Sequence, residues 1–170
     1  MTIELIFFFC SAAIAVISAV MMITRPNPVK SVLFLIVNFF CLSLLYLLLH
    51  AQFIAVVQII VYAGAIMVLF LFVIMLLNIA DEDRFREVKS VKRLFAIVVS
   101  GGVAAEIIAS IVVVEGTGAQ AVSQEMNSLG TVEGIGKALF TTYRFPFEVT
   151  SLLLLAAMVG VIILAKKKFS

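Results

Sequence analysis

Several carboxylates lie in or beside long apolar stretches of this 170-residue chain, where an ionised group is costly. Glu106 falls within one such stretch, Glu148 at the start of another, and Glu4 at the start of the first. A carboxylate at that depth must be protonated, paired or turned towards water, so it is a candidate for handling protons. The alternative for Glu106 is a helix that lies less deep. For Glu148 and Glu4 the alternative is a position wetted by headgroup water.

A second group of candidates lies in the third apolar stretch. Gln58 and Tyr62 are four residues apart, so they share one helix face, and both can hydrogen-bond where lipid offers no partner. Ala63, Gly64 and Ala65 follow near the middle of the stretch. Glycine there costs about 1 kcal/mol of helix propensity and permits a local departure from α-helical bonding, such as a π-bulge. The alternative is that Gly64 lets a neighbouring helix approach, which physical reasoning alone favours slightly.

The remaining motifs give no support to enzyme chemistry on this chain. His50 has no partner that would make a metal site, and Cys10 and Cys41 belong to no CxxC pair. Residues 116–121 match G-x-G-x-x-A, but a dinucleotide site needs that turn inside a strand–turn–helix unit, for which there is no room. No phosphate loop, nucleophile triad or metal-ligand cluster occurs in the sequence.

The composition indicates the environment in which these residues lie. Apolar types make up 64% of the chain, charged types 13%, and the mean hydropathy is +1.26. Soluble domains are about 45–50% apolar and about 25% charged. A chain of this size cannot hide so much apolar surface from water. The composition therefore excludes an ordinary cytosolic enzyme, a disordered tail and a nucleic-acid binder, and it predicts an integral membrane protein.

Five apolar runs are long enough to cross a bilayer as helices, which takes about 20 residues. They are residues 3–23, 31–49, 54–77, 94–114 and 149–165. None alternates in polarity as a β-barrel strand does. We therefore predict an all-α integral membrane protein with five transmembrane helices in a single membrane domain, residues 1–170. Residues 115–146 form the outside loop, in which the sequence suggests at most one short interfacial helix.

The distribution of Lys and Arg predicts the orientation. An outside, periplasmic N-terminus and a cytoplasmic C-terminus put ten basic residues on the cytoplasmic side and two, Lys137 and Arg144, on the other. The ten are Arg25, Lys30, Arg84, Arg86, Lys89, Lys92, Arg93, Lys166, Lys167 and Lys168.

Small residues recur every fourth position in three of the runs, which lets helix backbones approach closely in lipid. Packing within the five-helix bundle is the simpler explanation, and docking against other membrane subunits is the alternative. The residues are Ser11, Ala15 and Ala19, then Gly101, Ala105 and Ala109, then Ala156 and Gly160.

The third run also carries a family resemblance. Residues 58–75, QIIVYAGAIMVLFLFVIM, closely resemble the third transmembrane helix of subunit J of proton-pumping NADH-quinone oxidoreductase, respiratory complex I, whose mitochondrial counterpart is subunit 6. Residues 25–29, RPNPV, resemble the family's segment after the first helix, and residues 146–155, PFEVTSLLLL, its fifth helix. The first motif is long and specific, and the other two support it.

The resemblance implies a subunit without a redox centre. NADH and quinone are then substrates of the whole complex, and FMN and iron–sulfur clusters lie on other subunits. The chain would sit in the cell inner membrane beside the subunit that houses the quinone cavity and beside small antiporter-like subunits. It would take part in an enzyme without carrying catalytic chemistry itself.

The resemblance also assigns roles to individual positions. The family's third helix switches between a π-bulged and an α-helical form at the segment that corresponds to Tyr62, Ala63, Gly64 and Ala65. Position 58 is glutamate in some members, and Gln58 cannot titrate, so no proton-carrying role is transferred to it. Glu148 matches a carboxylate of the family's fifth helix, whereas Glu106 matches no family motif.

We therefore predict that the third helix acts as a gate between quinone reduction and proton translocation. A register shift of one residue rotates every following side chain by about 100°. Val68 and Leu69 would then move into or out of a water path. One alternative is a purely structural small subunit of a complex I-related or cation/proton antiporter assembly. Another is a stand-alone transporter, against which the chain has no inverted repeat and no charged midplane pair.

Overall fold

The computed structural model describes residues 2–77, 90–116 and 130–166, and all of their regular structure is helical. The helices are α1 (Thr2–Thr24), α2 (Pro28–Leu48), α3 (Gln52–Val57), a π-helix (Gln58–Ile66), α4 (Met67–Leu77), α5 (Ser90–Gly116), α6 (Val132–Phe140) and α7 (Arg144–Ala165). The all-helical fold predicted from the sequence is confirmed for these residues. Several predictions fall outside them: Arg84, Arg86, Lys89, Lys167, Lys168 and most of the 116–121 motif.

Within the described residues, four helical stretches have the length and apolar composition needed to cross a membrane. They are Ile3–Thr24, Pro28–Leu48, Gln52–Leu77 and Arg144–Ala165. The third comprises α3, the π-helix and α4 in one continuous rod. Within α5, Phe95–Ser110 is a shorter apolar stretch.

The break between α1 and α2 follows from its polar and proline residues. Asn27 caps α2, because its Oδ1 accepts hydrogen bonds from the amides of Val29 at 2.9 Å and Lys30 at 3.2 Å. Pro28 stands in the first turn of α2, where proline loses no helical hydrogen bond. The chain therefore reverses between Thr24 and Pro28, and α1 packs along α2.

Polar side chains hold α1 and α2 together inside the apolar bundle. The Asn38 amide of α2 donates to the Ala15 carbonyl of α1 at 2.7 Å and to the Ser18 hydroxyl at 3.4 Å. Ser11 and Ser18 are both buried on this face of α1. The small residues of the first run thus line contact with α2, as expected for close helix packing in lipid.

The segment before the last long helix contains one short helix. The described part of residues 115–146 comprises the end of α5, the whole of α6 and the first turn of α7, and α6 lies where the sequence allows a short helix within the predicted loop. Helix α7 begins at Arg144 rather than at residue 149, because the charged Arg144 and Glu148 end the apolar run but are tolerated in the first turns of the helix. The Arg144 guanidinium pairs with Glu148 one turn later, and Pro146 stands in the first turn, where it is tolerated.

Candidate functional site

The candidate site is the π-helix in the middle of the third membrane rod. At its end, the amide of Met67 donates to the Tyr62 carbonyl, five residues back, as well as to the Gly64 carbonyl. At its start, the amide of Gln58 still donates to the Ala55 and Ile54 carbonyls in the α-helical range. Nine residues are wound this way, and π-turns are rare and concentrate at functional sites.

The spacing of the packed residues follows the change of winding. The side of the rod that faces the bundle runs through Ala55, Gln58, Ala63 and Met67. The step from Gln58 to Ala63 is five residues, whereas an α-helix returns to the same face after three or four. The π-winding therefore keeps both halves of the rod in contact with α2 across a stretch that would otherwise turn away.

Gln58 is the polar group of this packed face. The residue is 7% exposed, and no hydrogen bond joins its carboxamide to residues 2–77, 90–116 or 130–166. No fully buried side-chain nitrogen or oxygen of those residues lacks a partner, so the carboxamide keeps some accessible surface and is suited to bind water or a polar group outside the described chain.

Tyr62 and Gly64 lie on either side of the buried Ala63. The Tyr62 ring meets Phe39 of α2 edge to face, with centroids 6.0 Å apart, and about half of Tyr62 is exposed. A Cβ atom placed on Gly64 would lie 3.1 Å from the Ile59 carbonyl oxygen of the same helix, and no atom of another described helix would lie within 4 Å of it. No neighbouring helix within those residues occupies the space at Gly64. The close-approach explanation for this glycine is thus not supported there.

The other predicted residues of the third helix lie on its outer side. Ala65, Val68 and Leu69 are exposed in the isolated chain, and α4 has no buried residue among its eleven. The structure therefore brings Gln58 and Ala63 towards the bundle, while the groups that a change of winding would rotate face outwards.

Glu106 and Glu148 do not join this site. Glu106 is exposed on α5, which packs against no other helix of the described residues. Glu148 forms an ion pair with Arg144 at 3.0 Å, and both side chains are more than half exposed. Helix α7, which carries them, contacts α6 alone among the described helices. No group of three His, Cys, Asp or Glu side chains that could hold a metal occurs in the described parts.

Two residues that contact the start of the third rod were not predicted from the sequence. Ser43 of α2 is 1% exposed, and its hydroxyl donates to the Ala55 carbonyl at 2.8 Å. Gly130 lies against the turn at His50, and its carbonyl accepts a hydrogen bond from the Phe53 amide at 3.4 Å. A serine within an apolar run signals the first contact weakly, whereas the sequence gives no signal for the second.

Residues 18–164 match the family model described as NADH-ubiquinone/plastoquinone oxidoreductase chain 6. The chain belongs to this family. It is 35% identical to NADH-quinone oxidoreductase subunit J of Buchnera aphidicola, over 97% of this chain and 99% of the relative. It is 34% identical to subunit J of Rickettsia bellii, over 96% of this chain and 80% of the relative. It is 37% identical to NAD(P)H-quinone oxidoreductase subunit 6 of the Paulinella chromatophora chromatophore, over 96% and 78%.

Membership confirms the family suggested by residues 58–75. The relatives are subunits of NADH-quinone oxidoreductase, and this chain is accordingly a multi-pass membrane protein of the chain 6/subunit J family. The π-helix, the buried Gln58 and Gly64 all fall inside the matched range.

Proposed function

We propose that this chain is a membrane subunit of a proton-translocating NADH:quinone oxidoreductase and that its third helix couples quinone reduction to proton translocation. The observation that carries the proposal is the nine-residue π-helix with Gln58, which bonds no group of the described residues, on its packed face. Family membership supports the assembly, and the winding supports the coupling role.

The π-helix acts as a gate through its backbone. Where bonding to the fifth residue back gives way to bonding to the fourth, one carbonyl is passed over and has no amide partner in the helix. That carbonyl and the Gln58 carboxamide offer polar partners to water inside an otherwise apolar layer, and Tyr62 adds a hydroxyl. Return to α-helical winding removes the passed-over carbonyl and rotates Val68 and Leu69 by about 100°.

The two membrane carboxylates have different proposed places. Glu148 lies at the start of α7 and is more than half exposed, which suits a proton-exchanging group at the outer entrance of a path. Glu106 lies within α5, where a carboxylate needs water or a partner from another subunit. Neither contacts the π-helix through the described residues, so any path through them includes groups of neighbouring subunits.

The chain crosses the inner membrane five times, with α5 as the fourth crossing, an outside N-terminus and a cytoplasmic C-terminus. Redox chemistry takes place on other subunits, which hold FMN and iron–sulfur clusters, while NADH and quinone are substrates of the whole complex. The neighbours are the quinone-cavity subunit and small antiporter-like subunits. The outward small residues support such contacts, because a Cβ on Gly101 or Gly160 would meet nothing in the described chain.

Purification tests the assembly. Extracted in mild detergent with an affinity tag, the chain of 18.5 kDa should elute in a far larger particle that oxidises NADH with quinone. Reconstituted alone in liposomes, it should move neither protons nor other ions, because it has no charged midplane pair to bind them. Ion transport by the isolated chain would refute the proposal in favour of a transporter.

Cysteine labelling tests the orientation. In a background with Cys10→Ser and Cys41→Ser, Thr142→Cys and Lys166→Cys each place one thiol at an exposed position beyond one end of α7. A membrane-impermeant maleimide added to intact cells with a permeable outer barrier should label position 142 and spare position 166. The reverse pattern would invert the proposed topology.

A further inference from the structure

Gly130 is packed against the backbone of the tight turn between α2 and α3. A Cβ atom on Gly130 would lie 2.5 Å from the His50 carbonyl oxygen and 3.2 Å from the Ala51 Cα. Both are backbone atoms, which cannot rotate away as a flexible side chain would. Only glycine permits this approach without moving the turn.

The turn that Gly130 contacts is itself tightly bonded. His50 adopts a positive φ of 59°, its amide donates to the Leu47 carbonyl, and the Ala51 amide donates to the Tyr46 carbonyl at 2.9 Å. These two bonds form the Schellman arrangement that ends many helices, here with histidine in the place that glycine usually takes. The turn therefore presents a defined surface to Gly130.

The N-terminus of α3 obtains a capping bond from Gly130. Ala51, the residue before α3, offers no side-chain cap, which leaves first-turn amides in need of partners. The Phe53 amide donates to the Gly130 carbonyl at 3.4 Å. A residue far along the chain thus supplies the acceptor that the local sequence lacks.

Helix α6 connects this contact to the last membrane helix. Thr131, directly after Gly130, caps α6 by accepting a hydrogen bond from the Gly134 amide at 3.1 Å. At the other end, Phe140 and Phe147 of α7 meet edge to face with centroids 4.9 Å apart. Among the described residues, α6 is the element that contacts both α3 and α7, so the position of α7 relative to the third rod depends on it.

We propose that Gly130 and α6 form an outer latch that fixes the N-terminal end of the third rod, and that Gly130 is a positioning residue for the π-helix. The π-helix starts five residues after Phe53, so freedom at the start of α3 is passed to it directly. If the N-terminal end of α3 is fixed, a change of winding in the π-helix rotates α4 about the helix axis. If that end is free, α3 rotates instead and α4 moves less. The latch rests on the gate proposed above.

The test compares Gly130→Ala with Gly102→Ala in the whole complex. The control lies in α5, outside the latch, and its Cβ would meet no atom within 4 Å in the described chain, so it adds the same methyl group without a clash. Hydrogen exchange of peptides that cover residues 52–57 should be about fivefold faster in Gly130→Ala than in the control, because the capping bond is lost. Protons moved per NADH oxidised should fall to about half in Gly130→Ala alone, since α3 then absorbs part of the winding change.

Each outcome decides one point. Equal exchange in the two variants overturns the latch. Faster exchange with a normal proton ratio also overturns it, because the contact would then have no influence on coupling. Gly64→Ala, measured in the same membranes, separates the two failures: if it lowers the ratio, the gate stands and only the latch falls, and if it does not, the proposed function falls too.

A second variant covers failed assembly of Gly130→Ala. Thr131→Ala removes the cap of α6 and adds no atom at the turn. It should speed exchange at residues 52–57 by about twofold, since a lost cap loosens the first turn of α6. Unchanged exchange in an assembled complex that carries Thr131→Ala overturns the latch.

Discussion

Gly64→Val is expected to lower the number of protons moved per NADH oxidised and the rate of quinone reduction, each by about tenfold, while the complex still assembles. The first added atom would lie 3.1 Å from the Ile59 carbonyl oxygen, and the two methyl groups of valine have few rotamers with which to avoid it. In an α-helix the amide of residue 64 would instead bond the carbonyl of Ile60. The substitution therefore penalises the π-winding specifically.

Gly64→Ala gives a graded version of the same change. Alanine is favoured over glycine in an α-helix by about 1 kcal/mol, which shifts an equilibrium between windings about fivefold. Its effect should lie between those of wild type and Gly64→Val. Gly102→Ala is the matched control, because its Cβ would meet no atom within 4 Å in the described part of α5. The measurement is the initial rate of NADH oxidation and of acidification in sealed vesicles. Normal turnover with a normal number of protons per NADH in Gly64→Val would contradict the proposal that the third helix is a gate.

Local sequence patterns were enough to predict the all-helical class and a departure from α-helical bonding near Gly64 in the third run. An apolar run of that length leaves helix as the reasonable choice, and a glycine flanked by Ala63 and Ala65 marks a weak point in α-helical bonding. The same pattern could not separate a change of winding from the approach of a neighbouring helix. That distinction depends on what lies opposite Gly64, which is a property of the fold rather than of the run.

Long-range contacts explain what the sequence could not provide. Gly130 and the turn at His50 are eighty positions apart, and nothing in either segment specifies the other. Helix α6 is short and partly polar, so a search for apolar runs passes over it. For Glu106 and Glu148, the sequence predicts that an ionised side chain within the bilayer is unfavourable. It does not predict which groups surround them, because those groups include residues of other chains in the assembly.

Ser43→Leu is expected to reduce the amount of assembled complex by about tenfold or more, in contrast to Gly64→Val. Ser43 is 1% exposed and lies on the face of α2 that contacts α3, where its hydroxyl bonds the carbonyl of Ala55, which is also 1% exposed. Leucine needs space for two additional heavy atoms there, and overpacking of this kind typically costs about 1–3 kcal/mol, occasionally more. Because α3 cannot move away from α2 without also pulling on the turn at His50, the strain is not easily relieved.

Ser43→Ala is the control that separates volume from hydrogen bonding. It removes the 2.8 Å bond to the Ala55 carbonyl but adds no atoms, and such bonds between membrane helices average about 0.6 kcal/mol. Assembly should therefore stay near the wild-type amount, measured by native gel electrophoresis of detergent extracts.

The two pairs of variants then distinguish a gate from a scaffold. In a purely structural subunit, Gly64→Val and Ser43→Leu would both lower assembly and activity in proportion. In a gate, only Ser43→Leu does so, and Gly64→Val leaves an intact complex with impaired coupling.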